Sequence, residues 1–153
     1  MMEVFEGVPD TSEAQLRFIS QRASKLCVRG KGLLVMSEAA DEMGERFGDT
    51  TFYNVAEERR MFRSMLVSHP QVETTVTGVL LHEETVAQNV DRRAFPQYIE
   101  SRGAMVGVRA DRGVAPIPNN TRGETWTVGI SDLFERLHTY HTQVAFTLNT
   151  KPV

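Results

Sequence analysis

The chain has 153 residues, 41% hydrophobic and 24% charged, which is typical of a folded globular domain and excludes disordered, collagen-like and coiled-coil chains. Its 17 basic and 20 acidic residues give a formal net charge of -3, so nothing in the overall charge attracts nucleic acid or an anionic membrane. No apolar run approaches the ~20 residues of a membrane-spanning helix, and the acidic N-terminus does not resemble a secretory signal. We therefore expect a soluble, cytoplasmic protein.

The first half of the chain is predicted to alternate helices with short strands. Ser12 and Gln15 match a capping box, so a helix is expected over residues 12–26. Residues 33–36 are a short apolar run, which indicates a strand covered on both faces. Residues 38–47 are polar and compatible with a helix.

A further helix is predicted over residues 55–67, with Asn54 and Glu57 as its cap pair. Its expected buried stripe consists of Met61, Phe62, Met65 and Leu66. Interior strands are predicted at residues 75–81 and 104–108, because both segments are apolar and rich in β-branched residues.

The remaining elements complete the pattern. A short helix is expected over residues 95–101, a loop over 114–124, and a helix capped by Ser131. Residues 144–148 are a candidate fourth strand. Alternating strands and helices predict βαβ units around a parallel sheet, although the fourth strand has no helix after it in this sequence.

Polar side chains follow each predicted strand, where side chains of parallel βα folds converge on functional sites. They are Ser37, Glu38, Asp41 and Glu42 after the first strand, His82, Glu83 and Glu84 after the second, Arg109, Asp111 and Arg112 after the third, and Asn149 and Lys151 after the fourth.

Two constellations have competing interpretations. Glu38 and Glu84 could form a paired carboxylate site, but solvated loop charges are the favoured interpretation. His138 and His141 lie one helical turn apart and could share a metal with His82, but two surface histidines are favoured.

Lysine chemistry has three candidates, Lys25, Lys31 and Lys151. An imine-forming lysine must be desolvated or placed beside another cation, and none of the three predicted positions supplies either condition. The single cysteine, Cys27, cannot form an internal disulfide.

Six segments, in order, resemble class I fructose-bisphosphate aldolases. GKGLLVMSE is similar to the family's GKGILAADE stretch, and NVAEERRMFRSML is similar to its NTEENRRFYRQLL helix. The other segments with family-like sequence are TGVLLHEETVAQ, FPQYIESRG, VGVRADRGVAP and GETWTVGISDLFER.

The resemblance implies an incomplete (βα)8 TIM barrel, with an extension at residues 1–10 and the first four strands, flanking helices and an N-terminal helix in residues 11–153. In the family, a lysine imine cleaves fructose 1,6-bisphosphate into dihydroxyacetone phosphate and glyceraldehyde 3-phosphate without a metal or cofactor. The family's imine lysine and acid/base glutamate map to no residue of this sequence, so no catalytic residue is assigned.

Several matched positions depart from the family. Ser37 replaces an active-site aspartate, which removes a carboxylate that could act as a base near neutral pH. Ala39 replaces a serine, and Arg109 replaces a lysine. Asn149 and Lys151 stand at the positions of a lysine and an arginine. Substrate contacts implied by the resemblance therefore fall on Ser37, Glu38, Arg46, Arg109, Asn149 and Lys151.

These observations lead to one hypothesis and two alternatives. The hypothesis is an aldolase-like protein that, as this chain alone, does not catalyse cleavage but retains charges suited to a sugar phosphate. The first alternative is an interaction protein that pairs with itself, with a full-length aldolase or with another partner through open sheet edges. The second is a degenerate fragment with marginal folding.

Overall fold

The computed structural model of the chain describes residues 12–48 and 50–145. The predicted extension at residues 1–10 and the predicted contacts Asn149 and Lys151 lie outside the described residues. No described helix is both long and apolar enough to cross a membrane.

The described part of the chain alternates helices with strands. The helices are α1 (Glu13–Leu26), α2 (Ala40–Phe47), α3 (Ala56–Ser68), α4 (Val72–Thr75), α5 (Glu83–Val86), α6 (Phe95–Ser101) and α7 (Leu133–Ala145). The strands are β1 (Gly32–Met36), β2 (Val76–Leu81), β3 (Asn89–Val90), β4 (Arg93–Ala94), β5 (Met105–Val108), β6 (Val114–Pro116) and β7 (Thr125–Thr127).

The three predicted apolar strands form one parallel sheet in the order β1-β2-β5. Met36 is opposite Leu81, and Leu81 is opposite Val108, so the carboxyl ends of all three strands lie at the same edge. The predicted α/β class with a parallel sheet is therefore confirmed.

Helices cover one face of this sheet. The core cluster there is formed by Met36, Val67, Val79, Leu81, Val86, Val90, Phe95, Ile99 and Ala104. The opposite face is open at β1, where Leu33 is 60% exposed and Val35 is 55% exposed. The expectation that β1 is covered on both faces is wrong, because on this side Leu26 at the end of α1 lies beside Leu33 but leaves it and Val35 more than half exposed.

The start of α1 confirms the predicted capping box. Ser12 Oγ accepts a hydrogen bond from the Gln15 amide at 3.3 Å, and the Ser12 amide donates to Gln15 Oε1 at 2.9 Å. These reciprocal bonds satisfy amide groups that a helix leaves free at its first turn.

The start of α3 differs from the prediction. Val55 is the N-cap and provides no side-chain cap, whereas the side-chain nitrogen Nδ2 of Asn54 donates to the Ala40 carbonyl at 2.6 Å. The predicted Asn54 and Glu57 cap pair is therefore wrong. This hydrogen bond connects the loop before α3 to the first residue of α2.

The buried side of α3 is formed by Arg59, Arg63 and Val67. Met61 and Met65, predicted to be buried, are 57% and 62% exposed, while Phe62 and Leu66 are half-buried. The predicted stripe is rotated because two arginines of this helix have carboxylate and carbonyl partners in the interior, which compensate their burial.

Two later predictions also need correction. The loop expected at residues 114–124 contains β6, which pairs with β7 in an antiparallel hairpin that places Ala115 opposite Trp126. The β-branched residues at the ends of this pairing favour a strand over an irregular loop.

Helix α7 extends through Ala145, so the first two residues of the expected fourth strand are helical, and the rest lie outside the described residues. Extending a formed helix costs less than starting a new element.

Candidate functional site

Most of the polar residues that follow the three parallel strands line one cavity of about 550 Å³. Its lining consists of Ala39, Asp41, Glu42, His82, Glu83, Arg109, Asp111, Arg112, Gly113 and Val114. The convergence expected from the strand ends is therefore present, and each of β1, β2 and β5 contributes residues from the segment that follows it.

Behind this cavity, Glu84 binds two arginines of α3. Arg59 donates to both carboxylate oxygens, from Nη2 to Oε1 at 2.6 Å and from Nε to Oε2 at 3.0 Å. Arg63 donates from Nη1 to Oε2 at 2.9 Å. The hydrogen bonds from Arg59, and then those from Arg63, lower the pKa of Glu84 to about 2.

Arg63 also fixes the end of β1. Its side chain is 1% exposed, and its Nη2 donates to the Glu38 carbonyl at 2.7 Å. Glu84 and Arg63 thus connect the segments that follow β1 and β2 through α3. We name Arg59, Arg63 and Glu84 the buried charge cluster. The favoured interpretation of Glu84 as a solvated loop charge is wrong, because both of its carboxylate oxygens accept hydrogen bonds from these two guanidinium groups.

Glu38 does not form a carboxylate pair with Glu84. Its Oε1 instead forms an ion pair with Arg46 Nη2 at 2.7 Å, which connects the residue after β1 to the last turn of α2. The Glu38 side chain is 16% exposed and that of Arg46 is 56% exposed.

Arg109 is the cation at the end of β5. Its Nη1 donates to Glu42 Oε2 at 2.8 Å and to the Ser37 carbonyl at 3.3 Å, and its Nε donates to Asp111 Oδ1 at 3.1 Å. The pKa of Glu42 is lowered, first by the hydrogen bond from the Ala39 amide and then by Arg109. Arg109 thus connects the segments that follow β1 and β5.

His82 lines the cavity as a neutral side chain. Its Nδ1 accepts a hydrogen bond from the Glu84 amide at 3.2 Å, so Nε2 carries the proton of the neutral ring. Burial, and then the nearby Arg63 cation, lower the pKa of His82. Near pH 7 the ring is therefore a hydrogen-bond donor without a positive charge.

Two residues of the cavity lining, Glu83 and Arg112, contact later parts of the chain. Arg112 Nη1 pairs with Asp132 Oδ2 at 3.1 Å. Tyr140 of α7 donates its hydroxyl to Glu83 Oε2 at 2.6 Å. Burial, and then this contact with the Glu83 carboxylate, raise the pKa of Tyr140. Helix α7 is thus connected to the residues that follow β2.

One of the four described residues predicted to contact substrate lines the cavity. Arg109 lines the cavity, whereas Ser37, Glu38 and Arg46 are not among its described lining residues. Ser37 is 7% exposed and contributes its carbonyl to Arg109. The predicted roles of these four residues in substrate contact stay predictions.

The two lysines within the described residues lie away from the cavity lining. Lys31 precedes β1, at the opposite end of the strand from the cavity, and its Nζ donates to the Glu73 carbonyl at 2.8 Å. Lys25 is in the last turn of the solvent-exposed helix α1.

Metal binding has no support in the described parts of the chain, where no group of three or more His, Cys, Asp or Glu residues is arranged to hold an ion. The three-histidine site considered from the sequence is not formed there.

Sequence reasoning missed Arg59 and Arg63. Two arginines four residues apart share one face of a helix, and this spacing was the available signal. Met61 and Met65, at neighbouring positions, instead favour a different buried face.

We predict that Glu84→Gln lowers the free energy of unfolding by about 3 kcal/mol, because it leaves two buried guanidinium groups without a carboxylate. Urea unfolding measures the effect. Glu57→Gln is the control, because Glu57 pairs with Arg60 on the exposed side of α3, where an ion pair contributes little.

The same substitution should change the pH dependence. The folded pKa of Glu84 is about 2, below its ordinary value of 4.5, so its stabilisation is complete above about pH 5 and is lost as the pH falls towards 2. The unfolding free energy of Glu84→Gln should decline less over this range than that of the original chain. Equal declines would contradict the assignment.

Comparisons with known proteins identify relatives of this chain. The sequence profile described as fructose-bisphosphate aldolase class-I matches residues 18–147. Fructose-bisphosphate aldolase A of Salmo salar is 34% identical over 134 residues, which cover 86% of this chain and 37% of that protein. A fructose-bisphosphate aldolase of Echinococcus multilocularis is 32% identical over 136 residues, which cover 88% of this chain and 37% of that protein.

A solved structure shares the fold. It is fructose-bisphosphate aldolase from Plasmodium falciparum in a complex with TRAP and a small-molecule inhibitor, and it superposes with a TM-score of 0.81 at 24% identity over 88% of this chain and 39% of that chain. This chain therefore spans a little over a third of the length of the relatives it matches. The profile match over most of the sequence, the two relatives and the shared fold together place this chain in the class-I fructose-bisphosphate aldolase family.

Proposed function

We propose that this chain forms one side of a sugar-phosphate site in an aldolase-like protein, with fructose 1,6-bisphosphate as the representative ligand. The observation that carries the proposal is the position of Arg109, which lines the cavity at the carboxyl ends of the parallel strands. Family resemblance assigns a substrate-contacting lysine to this position. Arginine retains the positive charge and adds a planar set of donors that suits phosphate.

We further propose that the chain by itself binds such a ligand without cleaving it. Ser37 offers a hydroxyl where the family has a carboxylate, and a serine hydroxyl does not act as a base near neutral pH without an activating partner. The described lining of the cavity contains arginine and histidine but no lysine that could form an imine.

The test of binding is isothermal titration calorimetry of the 153-residue chain with fructose 1,6-bisphosphate. Arg109→Gln should weaken binding about tenfold, because it removes a charged donor to phosphate. Arg122→Gln removes the same charge from an exposed residue outside the cavity lining and should leave the affinity unchanged. Equal affinities of the two variants would contradict the role of Arg109.

A coupled assay for triose phosphates tests the catalytic part separately. We expect no turnover from the chain alone. Turnover that is abolished by substituting one of Lys25, Lys31 and Lys151 would contradict the proposal and identify an imine lysine in this sequence.

A second candidate function is association through the open face of the parallel sheet. Leu26, Leu33, Val35, Leu80 and Met105 lie along a shallow apolar groove on this face, and Leu33 is mostly exposed. Exposed contiguous apolar surface favours contact with another protein surface. A second copy of this chain offers an identical face and can form a symmetric pair.

Size-exclusion chromatography with light scattering tests this candidate. We expect a dimer that Leu33→Glu converts to a monomer, because a carboxylate on the groove must be desolvated in the contact. Met61→Glu introduces the same charge at an exposed position of α3 and should leave the dimer intact. A monomer at high concentration would exclude self-association through this face.

A further inference from the structure

Glu42 and Arg109 contact each other within the lining of the cavity. Glu42 lies in the first turn of α2, and Arg109 directly follows β5. Arg109 Nη1 lies 2.8 Å from Glu42 Oε2 and 3.0 Å from Oε1. Both residues line the cavity, so their contact occurs where an incoming ligand would meet the cation.

Both partners are held in place by further hydrogen bonds. Glu42 Oε2 accepts from the Ala39 amide at 2.7 Å, which fixes the carboxylate over the start of α2. Arg109 donates from Nε to Asp111 and from Nη1 to the Ser37 carbonyl. Both side chains are therefore positioned by further contacts, which distinguishes this pair from an ion pair between two unrestrained side chains.

These contacts use most of the donor groups of Arg109. Nε and Nη1 are engaged, and no described residue accepts a hydrogen bond from Nη2. A phosphate gains most from arginine when it accepts two parallel hydrogen bonds. An entering phosphate reaches Nη2 alone unless the Glu42 carboxylate moves aside. The carboxylate also repels the phosphate, because both are anionic.

We infer that Glu42 is a specificity-determining residue, a resident carboxylate that competes with anionic ligands for Arg109. Its presence weakens binding of phosphorylated sugars while leaving binding of uncharged sugars unaffected. The inference deepens the proposed function and rests on it for the identity of the ligand. The two can be tested separately, because Glu42 competes with inorganic phosphate in the same way.

Glu42 also caps α2, and this structural role must be separated from competition. Glu42→Gln retains an oxygen that can accept from the Ala39 amide, but it removes the negative charge. Glu45→Gln is the matched control, because it removes the same charge from an exposed residue of the same helix that is not among the cavity lining. Thermal melting of both variants checks that the fold is retained.

The first measurement needs no ligand. Phenylglyoxal modifies accessible guanidinium groups, and peptide mass spectrometry reports the rate at each arginine. Glu42→Gln should raise the rate at Arg109 about threefold or more relative to Glu45→Gln, because release of a charge-assisted hydrogen bond contributes roughly this factor. Equal rates at Arg109 in the two variants would overturn the inference.

The second measurement is calorimetric titration with inorganic phosphate, fructose 1,6-bisphosphate and fructose. Glu42→Gln should bind both anions about five times more tightly than Glu45→Gln, with no change for fructose. Equal affinities for inorganic phosphate would overturn the inference. Failure of the proposed function would differ, because phosphate binding would increase in Glu42→Gln while fructose 1,6-bisphosphate bound to neither variant.

Discussion

The geometry of the cavity depends on one buried interaction, the binding of Glu84 by Arg59 and Arg63. Two guanidinium groups, 9% and 1% exposed, share a carboxylate from the segment after β2. Arg63 also holds the Glu38 carbonyl after β1, so one helix aligns the ends of two parallel strands. Because removing one member of a buried charge cluster leaves its partners unpaired, we expect a change to any member to loosen the strand ends that form the cavity.

The arginines near the strand ends therefore have two different roles. Arg59 and Arg63 are enclosed and both donate to Glu84, so they contribute to alignment. Arg109 lines the cavity and pairs with Glu42 and Asp111, so we propose that it is the cation that a ligand meets. Arg109 pairs with Glu42 and Asp111, and Arg112 pairs with Asp132. These carboxylates balance the positive charges of the cavity lining. We expect this charge balance to oppose tight binding of an anionic ligand.

Local patterns were sufficient to predict the elements that support the site. The capping box at Ser12 and the short apolar strands are determined by neighbouring residues, and the carboxyl ends of parallel strands meet by geometry. The burial of Arg63 and the exposure of Met61 depend on a carboxylate about 20 positions away in the chain, which helical periodicity does not report. The hairpin partner of Ala115 is similarly nonlocal. The departures at Ser37 and Arg109 were visible only through family resemblance, whereas the contact between Glu42 and Arg109 required the three-dimensional structure.

Nuclear magnetic resonance of the arginine side chains during titration with fructose 1,6-bisphosphate tests most directly whether alignment and binding belong to different arginines. Our account predicts that the Nε–H signal of Arg109 shifts with saturation, while the signals of Arg59 and Arg63 keep their positions and remain protected from exchange. A saturable shift at Arg59 or Arg63 with no change at Arg109 would contradict the account. It would show that the ligand binds the buried charge cluster and that the cation at the end of β5 is not part of the site.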